Sequence, residues 1–593
     1  MAFEEMRKSF WPLLTRVKRP GRYAGGEWGS LPVKDASMNL ARVCLAFPDT
    51  YEVGMSYLGY QVLYSLIKTL DYADVERAYC PWIDMELQMR KSHFPLCSLE
   101  SFRPLREFDM VGITLQYELC STNILTVLDL GGIPLRSSQR DRHDPFVIGG
   151  GAGALSPAPL EPFFDAFCLG DGEAILPALL RLIRETKGGY REERLQKIAS
   201  LPGMYVPGIS ALPAKRHIVE KPDEAFVHRT MIVPNSAIVH DRVAVQVFKG
   251  CTRGCRFCQA GMIDRPLRER SAASIASQVK ELLRYTGWEE LGLLSLATCD
   301  WTPLEELLNE LSPLLRSNNI KLSLPSLRMD AFSVELASRL EGLRRGGLTF
   351  APEAGSARLR RVINKGIDDD DIDATLDATF RHGWERVKLY FMMGLPTETE
   401  EDLKSILDIA DRALGYARKY KRRGDVSISV AGFVPKAHTP FQWEGQTHRE
   451  ELRERGRYIK GLVRNRKISL SYHEPEQTFL EGVFARGGTE LAEPIEEAWR
   501  RGARFDGWTE CFDFERWMET FRDLDIDPED WATRNRTLDE TLPWDIIDTG
   551  VTKHFLARER ERAFREEPTP DCRHGTCQSC GWQRYEGACV HAH

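Results

Sequence analysis

The chain has 593 residues, a loose prior for three or four domains, with 42% apolar residues, 28% charged residues and a formal net charge of −7. That balance argues against a chain-wide nucleic-acid-binding surface, though not a local one. No apolar run reaches the ~18 residues of a membrane span, and Met1-Ala2-Phe3-Glu4-Glu5 lacks the basic-then-apolar order of a signal peptide. Of the fourteen cysteines, seven cluster in two groups and seven are dispersed, which fits a reducing cytoplasm better than a disulfide framework.

In chain order, residues 1–38 mix Trp11-Pro12, Arg19-Pro20-Gly21 and Gly25-Gly26 and read as an irregular N-terminal arm. Residues 39–185 alternate between strand and helix. Buried strands are expected at 41–47, 110–115, 146–148 and 166–169, and helices at 58–70, at 124–130 and from Ala174. The alternation predicts a parallel, doubly wound sheet, with ligands beyond the carboxyl ends of its strands. Two strands run into Gly149-Gly150-Gly151 and Gly170-Asp171-Gly172-Glu173. The triple glycine would admit a tetrapyrrole or nucleotide tail close to the backbone, or simply make a tight turn; glycine alone does not separate the two. Residues 186–238 are broken up by Lys187-Gly188-Gly189, Leu201-Pro202-Gly203 and Lys221-Pro222-Asp223 and read as a connector.

An apolar run at 243–248 then leads into Lys249-Gly250-Cys251-Thr252-Arg253-Gly254-Cys255-Arg256-Phe257-Cys258-Gln259-Ala260-Gly261. Three thiols at C-x3-C-x2-C spacing, with glycines before, inside and after them, can turn toward one point. Soft thiolates select zinc, copper(I) or iron–sulfur. Structural zinc normally takes four protein ligands, whereas a cubane on three cysteines leaves one iron open to a small molecule. Five further strands are expected at 291–297, 320–324, 347–350, 386–393 and 426–434. Ser271 and Gly287 bound one of the intervening helices, Pro303 starts the next, and Thr397 with Glu400 would form a capping box for a long one. Six β/α repeats with polar, Gly and Pro residues gathered after each strand point to a partial (β/α)6 barrel over 239–475. A strand at 468–472 would complete its edge.

The remainder, 476–593, reads as a mainly helical extension carrying Trp499, Trp508, Trp517, Trp531 and Trp544, expected to pack on a neighbour such as the barrel mouth. It ends in Asp571-Cys572-Arg573-His574-Gly575-Thr576-Cys577-Gln578-Ser579-Cys580-Gly581, with Cys589 beyond. Cys572, Cys577, Cys580 and Cys589 suit zinc or an auxiliary iron–sulfur cluster, His591 or His593 could replace one of them, and free thiols on a frayed tail are the alternative.

The C-x3-C-x2-C loop, with Phe257 before its third cysteine at a strand end, resembles the radical S-adenosylmethionine (SAM) signature. The glycine-punctuated α/β domain ahead of it resembles the cobalamin-binding-like domain that precedes many radical SAM cores. The whole chain is similar to bacterial radical SAM proteins combining such a domain with a D-C-R-x-G-x-C-x-x-C-G tail. That resemblance implies a 4Fe-4S cluster on Cys251, Cys255 and Cys258, SAM at the open iron, and an electron donor such as flavodoxin or ferredoxin. It implies SAM contacts at Thr298 and Asp300 (amino group), Ser326 and Arg328 (carboxylate), Glu353, and Gly394 beside the adenine. Cobalamin is implied less firmly. Where such proteins ligate cobalt through D-x-H-x-x-G, this chain reads Asp49-Thr50-Tyr51-Glu52-Val53-Gly54, and a phenol replaces imidazole poorly. Three functional classes stay open on the sequence: a radical methyltransferase, a methylthiotransferase-like or other RNA-modifying radical enzyme, and a non-enzymatic metal-binding module. The substrate (small molecule, RNA or protein) is not specified.

Overall fold

A computed structural model describes residues 2–35, 37–324, 327–330 and 347–584. Its N-terminal sheet contains β1 (Ala41–Phe47), β2 (Ala73–Tyr79), β3 (Met110–Thr114), β4 (Phe146–Gly150), β5 (Ala166–Cys168) and β6 (Met204–Tyr205) in the order β2-β1-β3-β4-β5-β6. All neighbours run parallel except β6, which is antiparallel to β5. This is the doubly wound arrangement expected, with its switch point between β1 and β3, where ligands of such sheets bind.

Three features depart from the sequence reading. The arm at 1–38 is not irregular throughout, because Ala2–Leu14 is helical and buries Phe10, Leu13 and Leu14. The stretch at 186–238 holds helix Arg191–Ala199, β6 and β7 (Ala214–Lys215), and β6 extends the N-terminal sheet. Finally β2, Ala-Asp-Val-Glu-Arg-Ala-Tyr, has no apolar run to betray it, yet every residue in it is buried. Its charges are neutralised internally. Arg77 pairs with Glu27 at 2.8 Å and Glu100 at 2.6 Å, and Asp74 pairs with Lys68 at 2.8 Å.

The second unit is a succession of parallel strands in chain order. Around the cysteine loop lie β8 (Val243–Gln246), β9 (Phe248–Lys249) and β10 (Arg268–Glu269). Then come β11 (Glu290–Leu294), β12 (Lys321–Ser323), β13 (Leu348–Glu353), β14 (Arg386–Met393), β15 (Asp425–Gly432) and β16 (Ile468–Tyr472). One sheet reads β8-β11-β12 and the other β13-β14-β15-β16, and a parallel bridge from Leu327 to Phe350 joins them. Sequential order with helices between strands is barrel-type winding. Among the described residues no pair links β16 to β8, so the barrel is open.

The helix at Ala272–Thr286 is capped by the Ser271 hydroxyl and ended by Gly287 at φ 71°, as expected. The long helix Glu400–Lys419 is boxed by Thr399 and Asp402 rather than by Thr397 and Glu400. Thr397 instead takes a left-handed φ of 66° in the preceding turn.

The C-terminal extension contributes helices Pro475–Arg486, Ala492–Arg500, Phe514–Asp523, Pro528–Thr533 and Lys553–Phe564, plus β17 (Ile547–Asp548), which pairs with β7. Its tryptophans correct the expected neighbour. Trp499 and Trp517 share one core with Phe10, Ile124 and Leu128 of the N-terminal domain, and the Trp499 indole donates to Thr126 Oγ1 at 3.0 Å. Trp544 belongs to a separate cluster with Trp443 and Phe555. No helix among the described residues is long and apolar enough to cross a membrane.

Removing one partner of a buried ion pair leaves the other charge uncompensated. Arg77→Ala therefore strands Glu27 and Glu100 beneath the arm. The expected cost is about 3–5 kcal/mol, read as a lower urea midpoint.

Candidate active site

The cysteine loop is closed at its base by β9 and β10, which pair antiparallel with Lys249 opposite Arg268. Gly250 is required there: its φ is 83°, and a Cβ would lie 2.3 Å from the Pro266 carbonyl oxygen. Gly254 takes φ 72° between the first two thiols. Cys258 begins the short helix Gln259–Ile263, its sulfur accepting from the Gly261 N–H at 3.3 Å.

Two of the three thiols are raised by burial and by their neighbours. Burial pushes Cys258 up to about 12, and the sulfurs of Cys255 and Cys251 add to it. Burial, then Cys255, also raises Cys251. Cations offset this: Arg265 and Arg328 act on Cys251, and Lys365 acts on Cys258. Burial opposes the charge on Arg328, but Cys255 and Asp330 outweigh it and raise its pKa.

The far side of the loop is clamped by distant segments. Arg256 is fully buried and donates to the carbonyls of Val362 (2.9 Å) and Glu567 (2.6 Å), with Glu559 Oε2 at 3.3 Å as counter-charge. The Asn364 amide donates to the carbonyls of Gly254 and Thr569, and its oxygen accepts from the Thr569 N–H at 2.8 Å. Arg253 pairs with Asp300, with Asp330 at 2.8 Å and with Asp571 at 3.5 Å. Arg573 donates to the Asp300 carbonyl at 2.9 Å. Sequence reasoning missed this clamp, since nothing in residues 553–573 signals contact with a loop 300 positions earlier.

The residues singled out from sequence divide into two sets. Arg328 and Lys365 stand among the thiols, and Glu353 joins them through Lys365 at 3.2 Å. Glu353 has φ 69° at an irregularity in β13, a conformation that non-glycine residues keep mainly where the surroundings impose it. Phe257 packs at the edge of a cluster containing Ala354 and Leu395. Gly394 has φ 82° and lies against Thr447 and Leu452. Thr298 and Asp300 are spent on structure: the Thr298 hydroxyl meets Ser295 at 2.8 Å, and Asp300 is held by Arg253 and Arg573. Ser326 and Cys589, with His591 and His593, lie outside the described residues.

Asp571, Cys572 and Arg573 abut the cysteine loop. Yet among the described residues no three Cys, His, Asp or Glu side chains converge on a single metal ion. A mononuclear site at Cys572, Cys577 and Cys580 is therefore not formed by those three alone. For Cys251, Cys255 and Cys258 the same spacing is compatible with a cluster, whose irons are shared out among its cysteines.

Two further side chains bear on the cavity region. His438 Nε2 donates at 2.8 Å to the Leu155 carbonyl across the domain boundary, and burial lowers its pKa to about 4. It links the barrel to the N-terminal domain. Tyr51 is buried with its hydroxyl donating to Glu27 at 3.0 Å, so it presents no phenol to a ligand.

A cavity of about 600 Å³ lies between the carboxyl ends of β3, β4 and β5 and the barrel. Its floor is Gly112 and Gly149–Gly151; its opposite wall is Lys249-Gly250, Ile263-Asp264 and Leu294–Leu296. Gly-Asp-Gly-Glu bridges the two: Asp171 accepts from Lys249 (3.0 Å), Arg268 (2.5 Å) and the Val219 N–H (2.8 Å), and Glu173 pairs with Lys249 at 3.0 Å. Burial opposes ionisation of Asp171, but Lys249 and Arg268 hold its pKa well below the usual carboxylate range.

Glu559→Ala leaves Arg256 buried without its counter-charge and loosens the cysteine loop by about 3–5 kcal/mol; anaerobically reconstituted protein should hold clearly less iron per chain at unchanged helix content by circular dichroism. The His438 shift has a definite sign. A folded pKa near 4 against 6.5 means that the unfolded chain binds the proton first, so this stability is complete above pH 6.5 and is lost as pH falls toward 4. The loss amounts to about 3 kcal/mol, and His438→Gln should flatten the dependence of the urea midpoint on pH in that window.

Two family models match the chain: "Radical SAM proteins, N-terminal" over residues 59–207 and "Radical SAM superfamily" over residues 245–410. An uncharacterised protein of Methanocaldococcus jannaschii is 26% identical over 463 residues, 77% of this chain and 91% of that one. The ribosomal protein uS12 methylthiotransferase RimO of Treponema denticola is 22% identical over 261 residues, 36% of this chain and 54% of its own. Among solved structures, the radical SAM methyltransferase TsrM of Kitasatospora setae, with cobalamin and a 4Fe-4S cluster bound, is 15% identical at a TM-score of 0.48, covering 89% of this chain and 99% of that one. The cobalamin-dependent SAM radical enzyme OxsB is 14% identical at a TM-score of 0.45, covering 88% and 79%. With two models of one superfamily on the N-terminal sheet and on the cysteine-loop barrel, the chain belongs to the radical SAM enzymes.

Proposed function

We propose that this radical SAM enzyme carries a 4Fe-4S cluster on Cys251, Cys255 and Cys258 and a corrinoid in the interdomain cavity, and that it transfers a methyl group to an unreactive carbon. The observation that carries the corrinoid reading is the cavity floor. Gly150 has an ordinary φ, and a Cβ there would meet only Cys168 Cβ at 3.7 Å. Neither backbone strain nor packing demands glycine at this position, and a larger side chain would project into the cavity. Gly112 and Gly149–Gly151 bring backbone to the cavity among Ile113, Thr114, Ile148 and Cys168, at the carboxyl ends of the strands, and this suits a broad ligand lying partly against backbone.

The cysteine loop fits a cluster for separate reasons. Its three thiols are mutually coupled, and Arg328, Arg265 and Lys365 supply positive charge against the thiolates. A 4Fe-4S cluster held there would supply the electron for reductive cleavage of SAM, and a corrinoid would supply a transferable methyl group. The chain's own residues do the rest. Arg328 and Lys365 would stabilise charge beside the thiols, and Arg328, held by Asp330 and the Lys365 carbonyl, would meet the SAM carboxylate. Glu353, held in a left-handed turn by Lys365, offers a carboxylate to the SAM amino group or ribose. Gly394, at φ 82° and packed against Leu452 and Thr447, would shape the turn at the end of β14 where the adenine is expected, and Phe257 lies at the edge of an apolar cluster containing Leu395. Asp300 is assigned to fixing Arg253 rather than to SAM. A reducing cytoplasm and an electron donor of the flavodoxin or ferredoxin kind complete the reading.

Anaerobic purification with iron and corrin quantitation and a SAM-cleavage assay tests both halves. Replacing Cys251, Cys255 and Cys258 by alanine should abolish 5′-deoxyadenosine formation under dithionite. Gly150→Leu should abolish corrin retention while leaving iron content and 5′-deoxyadenosine formation largely unchanged, since a Cβ at this position would meet only Cys168 and none of the cysteine loop. Native protein that binds iron but never corrin would overturn the methyl-transfer reading and leave the radical SAM assignment standing.

A further inference from the structure

The cavity is bordered by several charged groups, and nearly all have partners. Asp171 and Glu173 are taken by Lys249 and Arg268. Arg270 donates to Gln278 at 2.6 Å, and Arg216 donates to the Arg265 carbonyl. Asp264 differs. Its backbone is fixed, with its N–H donating to Ala260 and its carbonyl accepting from Arg268, but its carboxylate receives no hydrogen bond or ion pair among the described residues. Arg216 is its strongest charged neighbour, yet the two are not within ion-pair distance.

Asp264 is also held rigidly. It terminates the short helix that begins at Cys258, so roughly 9 Å of helical backbone separates it from the third thiol. From the N-terminal domain Tyr57 lines the same cavity, 36% exposed, its hydroxyl without a hydrogen-bond partner among the described residues and close enough to Asp264 to feel its charge. A partly buried carboxylate with no donor is costly wherever water is displaced. Burial accordingly raises the Asp264 pKa. The site is completed only when something in the cavity donates to it.

We propose that Asp264, with Tyr57 facing it from the other domain, is the polar anchor of the cavity's ligand, and that it accepts a hydrogen bond from a primary carboxamide. The proposal rests on the corrinoid reading above, because the rim of a corrin ring carries such amides. The amide N–H donates to the Asp264 carboxylate, and the Tyr57 hydroxyl donates to the amide oxygen. No bond is made or broken and no proton leaves either partner. The carboxamide class is favoured over a cation because Arg216 is the strongest charge acting on Asp264, with Arg268 and Lys249 adding to it against Asp171. It is favoured over an anion because the carboxylate itself would repel one.

The test uses the full-length, cluster-loaded protein titrated anaerobically with hydroxocobalamin and followed by visible absorbance, so the readout is binding rather than turnover. Asp264→Leu should weaken binding by about 10–100-fold, the loss of one hydrogen bond to a charged group, with iron content and 5′-deoxyadenosine formation unchanged. Asp264→Asn, which still accepts, should lose less. A cobalamin monocarboxylic acid, in which one rim amide is a carboxylate, should bind native protein poorly and regain affinity with Asp264→Asn. Native binding with no loss in Asp264→Leu and no rescue of any monocarboxylate would overturn the anchor while leaving the corrinoid reading intact. Absence of corrin binding by the native protein overturns both.

Discussion

A loop with glycines at 250, 254 and 261 and three cysteines between them has little shape of its own, because glycine carries the largest backbone entropy of any residue. The structure supplies that shape from outside and from two directions. At the base, Asp171 and Glu173 reach from the N-terminal sheet to Lys249 and Arg268. On the far side, Asn364, Glu559, Thr569 and Asp571 reach from the barrel and the C-terminal segment to residues 252–256. Three regions separated by hundreds of residues thus converge on one short loop. The charges involved are largely buried and paired, a costly arrangement when incomplete and a geometrically demanding one when complete.

The N-terminal domain serves the barrel as much as it forms a unit of its own. Its hydrophobic core on one face continues into the C-terminal extension, with Phe10, Ile124, Trp499 and Trp517 in a single cluster. The extension therefore straps the two domains together before its last helix reaches the cysteine loop. His438 to Leu155 and Lys436 to Glu118 and Glu481 add polar links between the same parts. The carboxyl ends of β3, β4 and β5 are in this way pointed at the loop side of the barrel, and the space left between them is the cavity.

What the sequence discloses follows from how local each signal is. The strands β1, β3, β4 and β14, the Ser271 and Gly287 helix bounds and the cysteine spacing are written in consecutive residues, and they were legible. β2 was not, since its identity depends on Arg77 finding Glu27 and Glu100 far away in sequence. The helix box fell two residues from the expected place because Thr397 is drawn into a left-handed turn, which propensity does not encode. Gly-Asp-Gly-Glu lines the cavity and also holds Lys249 and Arg268, a link that its own spacing does not announce. Asp571 and Arg573, on either side of Cys572, pair with Arg253 and Asp300, contacts that the cysteine spacing does not signal. Asp264 carried no motif at all. It stands out because its carboxylate has no donor among the described residues, whereas Asp171 and Glu173, the other acids lining the cavity, are paired.

The same accounting links the two ends of the site. Lys249 and Gly250 form part of the cavity wall, and Cys251 follows them directly. Asp264 borders the cavity and ends the helix that Cys258 begins. The first and third thiols are therefore each one short, stiff segment away from the cavity, while the second is held by the C-terminal clamp through Arg256. Both segments are pinned by protein contacts, Lys249 by Asp171 and Glu173 and the Asp264 carbonyl by Arg268, so the wall is set by the fold and a change confined to a side chain facing the cavity leaves the thiols in place. The cavity and the cysteine loop are therefore neighbours that share a hairpin and a short helix while each keeps its own set of contacts.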